Sequence, residues 1–325
     1  VLAAPALILL RPGRVRAQAA PWPERPITLV VPFTPGGSTD IAARLWGDRV
    51  APRLAPGARV IVENRAGAGG SLGSLYVRDR PADGYTLLLA TASSHGSNPA
   101  ALPQTTPYDP VADFTAIAPV GGGPQVVVVP ANSRFARVEA LFEALRTAPN
   151  SLTWATSGAG GIGHLTGELM LSEAGGLKAE HVPYRGGAQV MEAMAKGEVD
   201  FSVEVLASSA PHLRDGTSRG LALTGAERHA LLPAVPTLAE AGLRGFDVVT
   251  WNLLLGPRGL PAPIAERLAR ATGEVLTDPA TAERLRAAGV DPARPATPTE
   301  ASAFLAGELE KFRDAVRRTG LSLAR

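Results

Sequence analysis

The sequence predicts an α/β protein built from two domains. Three observations lead to this fold class. Short apolar segments alternate with longer segments of helical periodicity, an alternation that is typical of α/β architecture. Several strand segments, such as residues 27–33, are apolar without a break, as in parallel strands that are covered on both faces. The order of strand, glycine-rich turn and helix occurs twice, at residues 32–40 and 156–164.

The first domain begins with a strand that runs into the first glycine-rich turn. Its predicted elements are strands at 27–33, 59–63 and 85–90, with helices at 39–54 and ending near residue 79. An extended connection at 114–129, broken by glycines at 121–123, then leads out of the domain.

The pattern of strands and helices restarts after this connection. The predicted helices are at 138–147, 164–174 and 188–196, and the strands at 152–156, 179–184, 200–205 and 220–224. The tail adds a strand at 251–256 and helices at 264–276, 279–288 and 299–319. We therefore assign residues 21–123 and 225–325 to domain 1 and residues 124–224 to domain 2, with a cleft between them.

Composition limits the classes of function. The chain of 325 residues has no cysteine, which excludes disulfides, thiolate metal sites and cysteine nucleophiles. Its five histidines show no metal-binding spacing. Aromatic residues make up only 5% and the formal net charge is +2, so neither base stacking nor a basic surface predicts a nucleic-acid partner. We expect no metal, no cofactor and no nucleic acid.

The first 20 residues are interpreted as a secretory signal peptide. Residues 1–10 are apolar, and residues 17–19 (AQA) have the small-x-small pattern of a cleavage site. Three arginines lie between these features and no methionine precedes them, so we expect a truncated or misannotated start. Removing this segment changes the formal net charge from +2 to −1. We expect an exported, periplasmic protein.

The two glycine-rich turns are candidate anion sites. Glycine allows backbone N–H groups to approach a ligand without an intervening Cβ. The start of the following helix supplies unpaired N–H donors and partial positive charge. In open α/β sheets such turns lie beyond the carboxyl ends of the strands, so one turn from each domain can hold one carboxylate. The alternative is that both are ordinary tight turns capped by serine or threonine.

The second turn also matches two enzyme patterns. Residues 158–163 fit G-x-G-x-x-G, but the expected acidic residue is not at the end of the next strand, since Glu180 lies near its start. Ser157 and His164 suggest a hydrolase, but no G-x-S-x-G motif frames the serine and no acid is placed to orient the histidine. We expect no catalytic residue, and a dinucleotide-dependent enzyme is an alternative.

Taken together, the motifs resemble a known family. They are WPERPI at 22–27, PFTPGGSTD at 32–40, ENRAGAGG at 63–70, DGYTLL at 83–88, SGAGGIGHL at 157–165, HVPYRG at 181–186, VPT at 235–237, EAG at 240–242, Trp251, and GP at 256–257. In this order they resemble the periplasmic substrate-binding proteins of tripartite tricarboxylate transporters, the Bug family. The resemblance implies a two-domain, type II Venus-flytrap fold with the ligand in the cleft between the domains.

The resemblance also implies which residues hold the ligand carboxylate, partly through ordered water. In the first domain they are Phe33, Thr34, Gly36, Gly37, Ser38 and Asp40. In the second domain they are Ser157, Gly158, Gly160, Gly161 and His164. We expect Asp40 to brace its turn, because two negative charges repel. Gly161 stands where relatives often have serine, which removes a hydroxyl donor.

Glu204 is a further candidate at the end of the predicted strand 200–205. Alternation along that strand puts Asp200, Ser202 and Glu204 on one face. The carboxyl end of the strand points toward the cleft. Two roles are open: an ion pair with an arginine such as Arg185, or a bond from an ammonium or hydroxyl group of the ligand. The second role predicts an amino acid, a hydroxy acid or another nitrogen-bearing carboxylate as ligand.

The resemblance implies a transport function. The protein would capture a small carboxylate by domain closure and present the closed form to membrane permease subunits. A ligand that bridges both domains shifts the equilibrium by its differential affinity for the closed state. The alternative is a sensor that presents its ligand to a receptor kinase.

Overall fold

The computed structural model describes residues 22–319, so the predicted signal peptide at residues 1–20 lies outside the described residues. The strands are β1 (Ile27–Val31), β2 (Val60–Asn64), β3 (Thr86–Thr91), β4 (Phe114–Pro130), β5 (Thr153–Thr156), β6 (Glu180–Pro183), β7 (Phe201–Val205), β8 (Ser218–Leu223), β9 (Val249–Pro257) and β10 (Asp291–Pro292). The helices are α1 (Ser38–Leu54), α2 (Ser71–Arg78), α3 (Asn98–Ala101), α4 (Val138–Thr147), α5 (Ile162–Glu173), α6 (Gly187–Lys196), α7 (Leu206–Arg214), α8 (Ala262–Thr277), α9 (Pro279–Ala287) and α10 (Pro298–Thr319).

The strands form two sheets that share β4. In the first sheet, β1 lies between β2 and β3 and is parallel to both, and β9 joins β3 to the first half of β4 by antiparallel pairing. In the second sheet, β5 lies between β6 and β7 in parallel, and the second half of β4 joins β7 to β8. The two strand orders, β2-β1-β3-β9-β4 and β6-β5-β7-β4-β8, repeat one arrangement. The predicted domain limits, residues 21–123 with 225–325 and residues 124–224, stay a prediction.

The long strand β4 passes from one sheet to the other. Its residues up to Pro124 pair with β9, and those from Gln125 onward pair with β7 and β8. The predicted break at glycines 121–123 was wrong, because these residues stay within the strand. Their lack of a side chain is needed there, since a Cβ on Gly122 would collide with the Thr250 carbonyl of β9.

The first sheet is buried under helices on both faces. Alternate side chains of β1 enter different clusters: Leu29 packs with Trp46 of α1 and Leu268 of α8, whereas Val30 packs with Val77 of α2. A fully buried aliphatic side chain of this kind contributes about 1.5–3 kcal/mol of transfer free energy. This two-sided burial explains why the parallel strands are apolar without a break.

The helix α7 was not predicted from the sequence. It starts directly after β7 and contains Pro211. A π-helical turn at Ser93–Ser97, directly after β3, was not predicted either. The π-helical turn follows β3 of the first sheet and α7 follows β7 of the second sheet, and both contribute residues to the cavity between the sheets. No helix within residues 22–319 is long and apolar enough to cross a bilayer.

Candidate ligand-binding site

A small cavity lies between the two sheets, at the ends of β1, β3 and β7. Its volume is about 20 Å³, and a single water needs roughly 10–15 Å³ in the same measure. The two domains are therefore closed on one another. Hydroxyl groups form much of the wall, from Thr91, Ser93, Ser157 and Ser208. One charged side chain, Glu204, lines the cavity.

Among the helices that begin at this cavity, three follow a glycine-containing turn: α1, α5 and α6. Their N-cap residues are all glycine, namely Gly37, Gly161 and Gly186, and none of these helix starts is capped by a side chain of its own turn. No serine or threonine of the turns themselves caps these helix starts, and the assignment of the turns to anion binding stays a prediction. Helix starts combine partial positive charge with N–H donors that have no partner within the helix, so three of them around one cavity favour an anion.

Two hydrogen bonds connect helix starts of one domain to serines of the other. The Ile162 N–H, at the start of α5, donates to Ser93 Oγ at 2.9 Å. The Ser38 N–H, at the start of α1, donates to Ser208 Oγ at 3.1 Å. In each case a neutral hydroxyl oxygen accepts from the N–H group of a helix terminus. These reciprocal bonds hold the two domains together at the cavity.

Each glycine-rich turn packs against the opposite domain. A Cβ built on Gly36 would lie 3.8 Å from Ala188 Cβ in α6. In the second turn, a Cβ on Gly158 would lie 3.5 Å from Gly69 Cα. The two turns therefore approach the cavity from different domains. Each packs against a small residue of the other domain, Ala188 for the first turn and Gly69 for the second.

Asp40 braces the first turn from behind. Its carboxylate accepts hydrogen bonds from the Gly36 N–H at 3.0 Å and from the Asn64 side chain at 3.0 Å. The Arg44 guanidinium donates to both carboxylate oxygens, at 3.0 and 2.9 Å. Burial alone would raise the pKa of Asp40, but the bonds from Arg44, Gly36 and Asn64 outweigh it and hold the pKa below its usual value.

His164 occupies the equivalent position behind the second turn. Its Nδ1 accepts a hydrogen bond from the Gly160 N–H at 3.0 Å. Its ring stacks on His181, with ring centroids 3.8 Å apart. Burial, together with the neighbouring His164, lowers the pKa of His181 to about 3, so His181 is neutral at pH 7. The histidine pair therefore fixes the turn.

Glu204 is buried with one oxygen unpaired. The residue is 2% exposed, and its Oε1 accepts a hydrogen bond from the Val205 N–H at 2.9 Å. Its Oε2 has no hydrogen-bond partner among the described residues. The proposed ion pair with Arg185 is wrong, since no ion pair within residues 22–319 includes Glu204. Burial raises the pKa of Glu204 to about 7, and the Val205 N–H together with the nearby Ser157 hydroxyl limits the rise.

Comparison with known proteins identifies the family. A model described as the tripartite tricarboxylate transporter family receptor matches residues 43–321. The chain belongs to this family. Protein BugT of Bordetella pertussis is 33% identical over 302 residues, which cover 93% of this chain and 91% of BugT. The predicted membership of the Bug family is confirmed.

Solved structures of receptors from this family share the fold. Rpa4515 of R. palustris, solved with adipate, has a TM-score of 0.88 and 32% identity, over 93% of this chain and 99% of that chain. MatC (Rpa3494) from Rhodopseudomonas palustris, solved with bound malate, has a TM-score of 0.85 and 30% identity, over 91% of this chain and 100% of that chain. The predicted two-domain periplasmic-binding-protein fold is confirmed.

In this receptor, the residues predicted to bind ligand fall into two groups. Those that line the cavity are Phe33, Gly37, Ser38, Ser157 and Glu204. Those that lie beside or behind the turns are Thr34, Gly36, Asp40, Gly158, Gly160, Gly161 and His164. The assignment of both groups to ligand binding stays a prediction.

Several cavity residues of the receptor were missed. Gly187 opens α6 as the second of two glycines that follow a strand, a pattern like that of the other two turns, so the sequence did carry a signal for it. Ser93 and Ser208 carried no such signal, because each belongs to an element that was not predicted. Thr250 lies in β9, and it lines the cavity because β9 pairs between β3 and β4, an order of strands that the sequence does not reveal.

Neither enzyme pattern finds support in the geometry. Glu180 is exposed at the first residue of β6, so no acid stands where a dinucleotide ribose would need it. The His164 Nδ1 is engaged by Gly160 and its Nε2 faces Glu168 at 3.7 Å, so the ring is not turned toward Ser157. Within residues 22–319 no cluster of side chains is suited to hold a metal ion.

Proposed function

We propose that this chain is an exported receptor that binds a small carboxylate between its domains and delivers it to permease subunits of a tripartite tricarboxylate transporter. The observation that carries the proposal is the convergence of three helix starts, without side-chain caps from their own turns, on one cavity between the domains. Such a site favours an anion through backbone N–H groups and helix dipoles. Among residues 22–319 no basic side chain lines the cavity.

The relatives support a carboxylate in particular. Adipate and malate are the ligands of the two R. palustris proteins, and both are dicarboxylates. A carboxylate oxygen is a stronger acceptor than the hydroxyls of Ser93 and Ser208, because charge-assisted hydrogen bonds are roughly twice as strong as neutral ones. It would replace them at the starts of α5 and α1. The periplasmic location rests on the BugD and related structures described as periplasmic.

The mechanism is capture by closure, with no bond made or broken. The closed cavity has room for about one water molecule, so a dicarboxylate enters only when the domains separate. Two segments connect the sheets near the cavity: β4 at Pro124 and the stretch between β8 and β9. Rotation about these segments opens the site, and a ligand that contacts both domains favours closure.

A binding screen tests the carboxylate assignment. Purified protein is titrated by calorimetry with mono-, di- and tricarboxylates, and with the corresponding amides as uncharged controls. We expect at least one carboxylate to bind with micromolar or better affinity and its amide to bind at least about a hundredfold more weakly. Binding of no carboxylate, or equal binding of acid and amide, would contradict the proposal. Uptake of the bound carboxylate by cells that carry the permease genes, with and without this receptor, tests delivery.

Two substitutions of Gly37 test the site. A Cβ at this position meets only ordinary contacts, Thr34 O at 3.7 Å and Gly187 N at 3.9 Å, and its φ of −78° suits any residue. Gly37→Ala should therefore keep affinity within about tenfold. Gly37→Val adds two carbons more than Gly37→Ala beside a cavity of about 20 Å³ and should weaken binding more than about a hundredfold, which is about 2.8 kcal/mol. The thermal unfolding midpoint of both variants should match the wild type.

A further inference from the structure

The carboxyl group of Glu204 is held in the wall of the cavity. Glu204 is the penultimate residue of β7 and pairs with Val126 of β4. Its Oε1 accepts from the Val205 N–H, while Oε2 is buried without a partner among the described residues. The residue lines the cavity, and only 2% of its surface is exposed. A buried carboxyl oxygen without a partner costs free energy until a donor reaches it.

The surrounding elements offer no positive charge to this carboxyl. From the start of α6 it faces Gly187, from α7 Ser208, and from the second turn Ser157. On β4 its neighbour across the ladder is Val126. No charged side chain within residues 22–319 pairs with Glu204 or shifts its pKa electrostatically. Since the neighbouring side chains of Ser157 and Ser208 are neutral, a charged donor to this carboxyl would come from what enters the cavity.

The Glu204 carboxyl also lies beside the helix starts that favour an anion. A Cβ on Gly187 would be 3.2 Å from Glu204 Cδ, and a Cβ on Gly37 would be 3.9 Å from the Gly187 nitrogen. The starts of α1 and α6 and the carboxyl of Glu204 therefore meet within a few ångströms. A ligand carboxylate bound at these helix starts would therefore have its neighbouring carbon close to the Glu204 carboxyl group.

We infer that the ligand carries a hydroxyl or ammonium group on the carbon next to its carboxylate, and that this group donates a hydrogen bond to Glu204 Oε2. The ligand class is thus the 2-hydroxy and 2-amino acids. This inference rests on the proposed function, because the helix starts must hold the carboxylate for Glu204 to meet the adjacent substituent. An unsubstituted acid leaves Oε2 without a partner and brings a second negative charge close to it.

Matched acids test the inference. At the chain length that binds in the screen, the unsubstituted acid is compared with its 2-hydroxy and 2-amino forms: propionate with lactate and alanine, succinate with malate and aspartate, or glutarate with 2-hydroxyglutarate and glutamate. Calorimetry at pH 7.5 should give at least about tenfold tighter binding of a substituted form. In Glu204→Gln the advantage of the amino acid should fall below about threefold, because an amide cannot balance an ammonium charge.

Glu180→Gln is the matched control, since Glu180 is an exposed carboxyl of the same domain outside the cavity. It should bind all three acids as the wild type does. The inference is overturned if the unsubstituted acid binds as tightly as its analogues, or if the advantage of the amino acid survives Glu204→Gln; the proposed function would still stand. It is also overturned if unsubstituted-acid binding weakens about tenfold per pH unit above 7 in the wild type alone, since Glu204 then donates its own proton. Failure of every carboxylate would instead refute the proposed function.

Discussion

Replacing Gly186 with alanine should disfavour domain closure without changing a residue that lines the cavity. Gly186 is the N-cap of α6, and its φ of 175° is extended backbone that alanine adopts without strain. A Cβ there would lie 2.1 Å from Thr34 Oγ1 and 3.3 Å from Thr34 Cβ, both in the other domain. The collision arises only when the domains are closed. The open state accommodates the new methyl group.

The size of the effect follows from the overlap. An ordinary contact is at least about 3.4 Å, so Thr34 Oγ1 must move by more than 1 Å. Thr34 Oγ1 has no hydrogen-bond partner among the described residues, so rotation of the Thr34 side chain breaks no hydrogen bond. The rotation, however, turns the methyl group of Thr34 toward the methyl group introduced at position 186. Overpacking of this kind costs about 1–3 kcal/mol. Apparent affinity should therefore fall about fivefold to 150-fold.

Calorimetry with the carboxylate found in the screen measures this loss, and small-angle scattering measures the closed fraction. The double variant Thr34→Ala/Gly186→Ala should recover much of the affinity, because the nearest remaining atom is then Thr34 Cβ at 3.3 Å. Gly307→Ala is the control: a Cβ there meets nothing within 4 Å. Wild-type affinity in Gly186→Ala, or no recovery in the double variant, would show that closure does not bring these two residues together.

Two further predictions concern titrating groups. Asp40→Asn should destabilise the protein at pH 7 by about 1–3 kcal/mol. Because folding lowers the pKa of Asp40, the stabilisation that its carboxylate gives the wild type is present above pH 3.8 and is lost as the pH falls further. The thermal unfolding midpoints of the wild type and the variant should therefore converge in acid. Glu204→Gln should instead stabilise the protein at high pH. Because folding raises the pKa of Glu204 from 4.5 to about 7, the folded wild type keeps a proton that the unfolded chain releases, and wild-type stability falls between pH 4.5 and 7. The variant should be the more stable by on the order of 3 kcal/mol at pH 8 and equal at pH 4, and a constant gap across this range would refute the assigned pKa.

The fold was predictable because its signals are local. The apolar segment of β1 is continuous since Leu29 and Val30 are buried in different clusters on opposite faces, and no polar alternation interrupts it. Helix α4 was predicted at residues 138–147, the bounds that it has, because its buried side chains recur with helical spacing. The glycines of β4 misled the prediction because their requirement is tertiary: it comes from the approach of β9, which is more than 100 residues away in sequence.

The cavity was only partly predictable, because its second half is assembled by contacts between domains. Gly37 and Ser157 could be found from the turns that contain them. Ser208 could not, since Pro211 obscures the helix that carries it and its role depends on the Ser38 N–H of the other domain. The partner of Glu204 was likewise a tertiary question, and the sequence offered Arg185 only as a neighbour along the chain.

The cross-domain serines determine how much a ligand can contribute to closure. Ser93 and Ser208 already accept hydrogen bonds from the starts of α5 and α1 in the closed protein, so closure does not leave these N–H groups unpaired. A carboxylate at the same positions exchanges two neutral bonds for two charge-assisted ones, a gain of about 1 kcal/mol each. Such a gain shifts the ratio of closed to open molecules about thirtyfold. Selectivity between one carboxylate and another must then come from polar groups that remain unpaired after closure. Among the described residues that line the cavity, Glu204 is the charged residue with such a group, its Oε2.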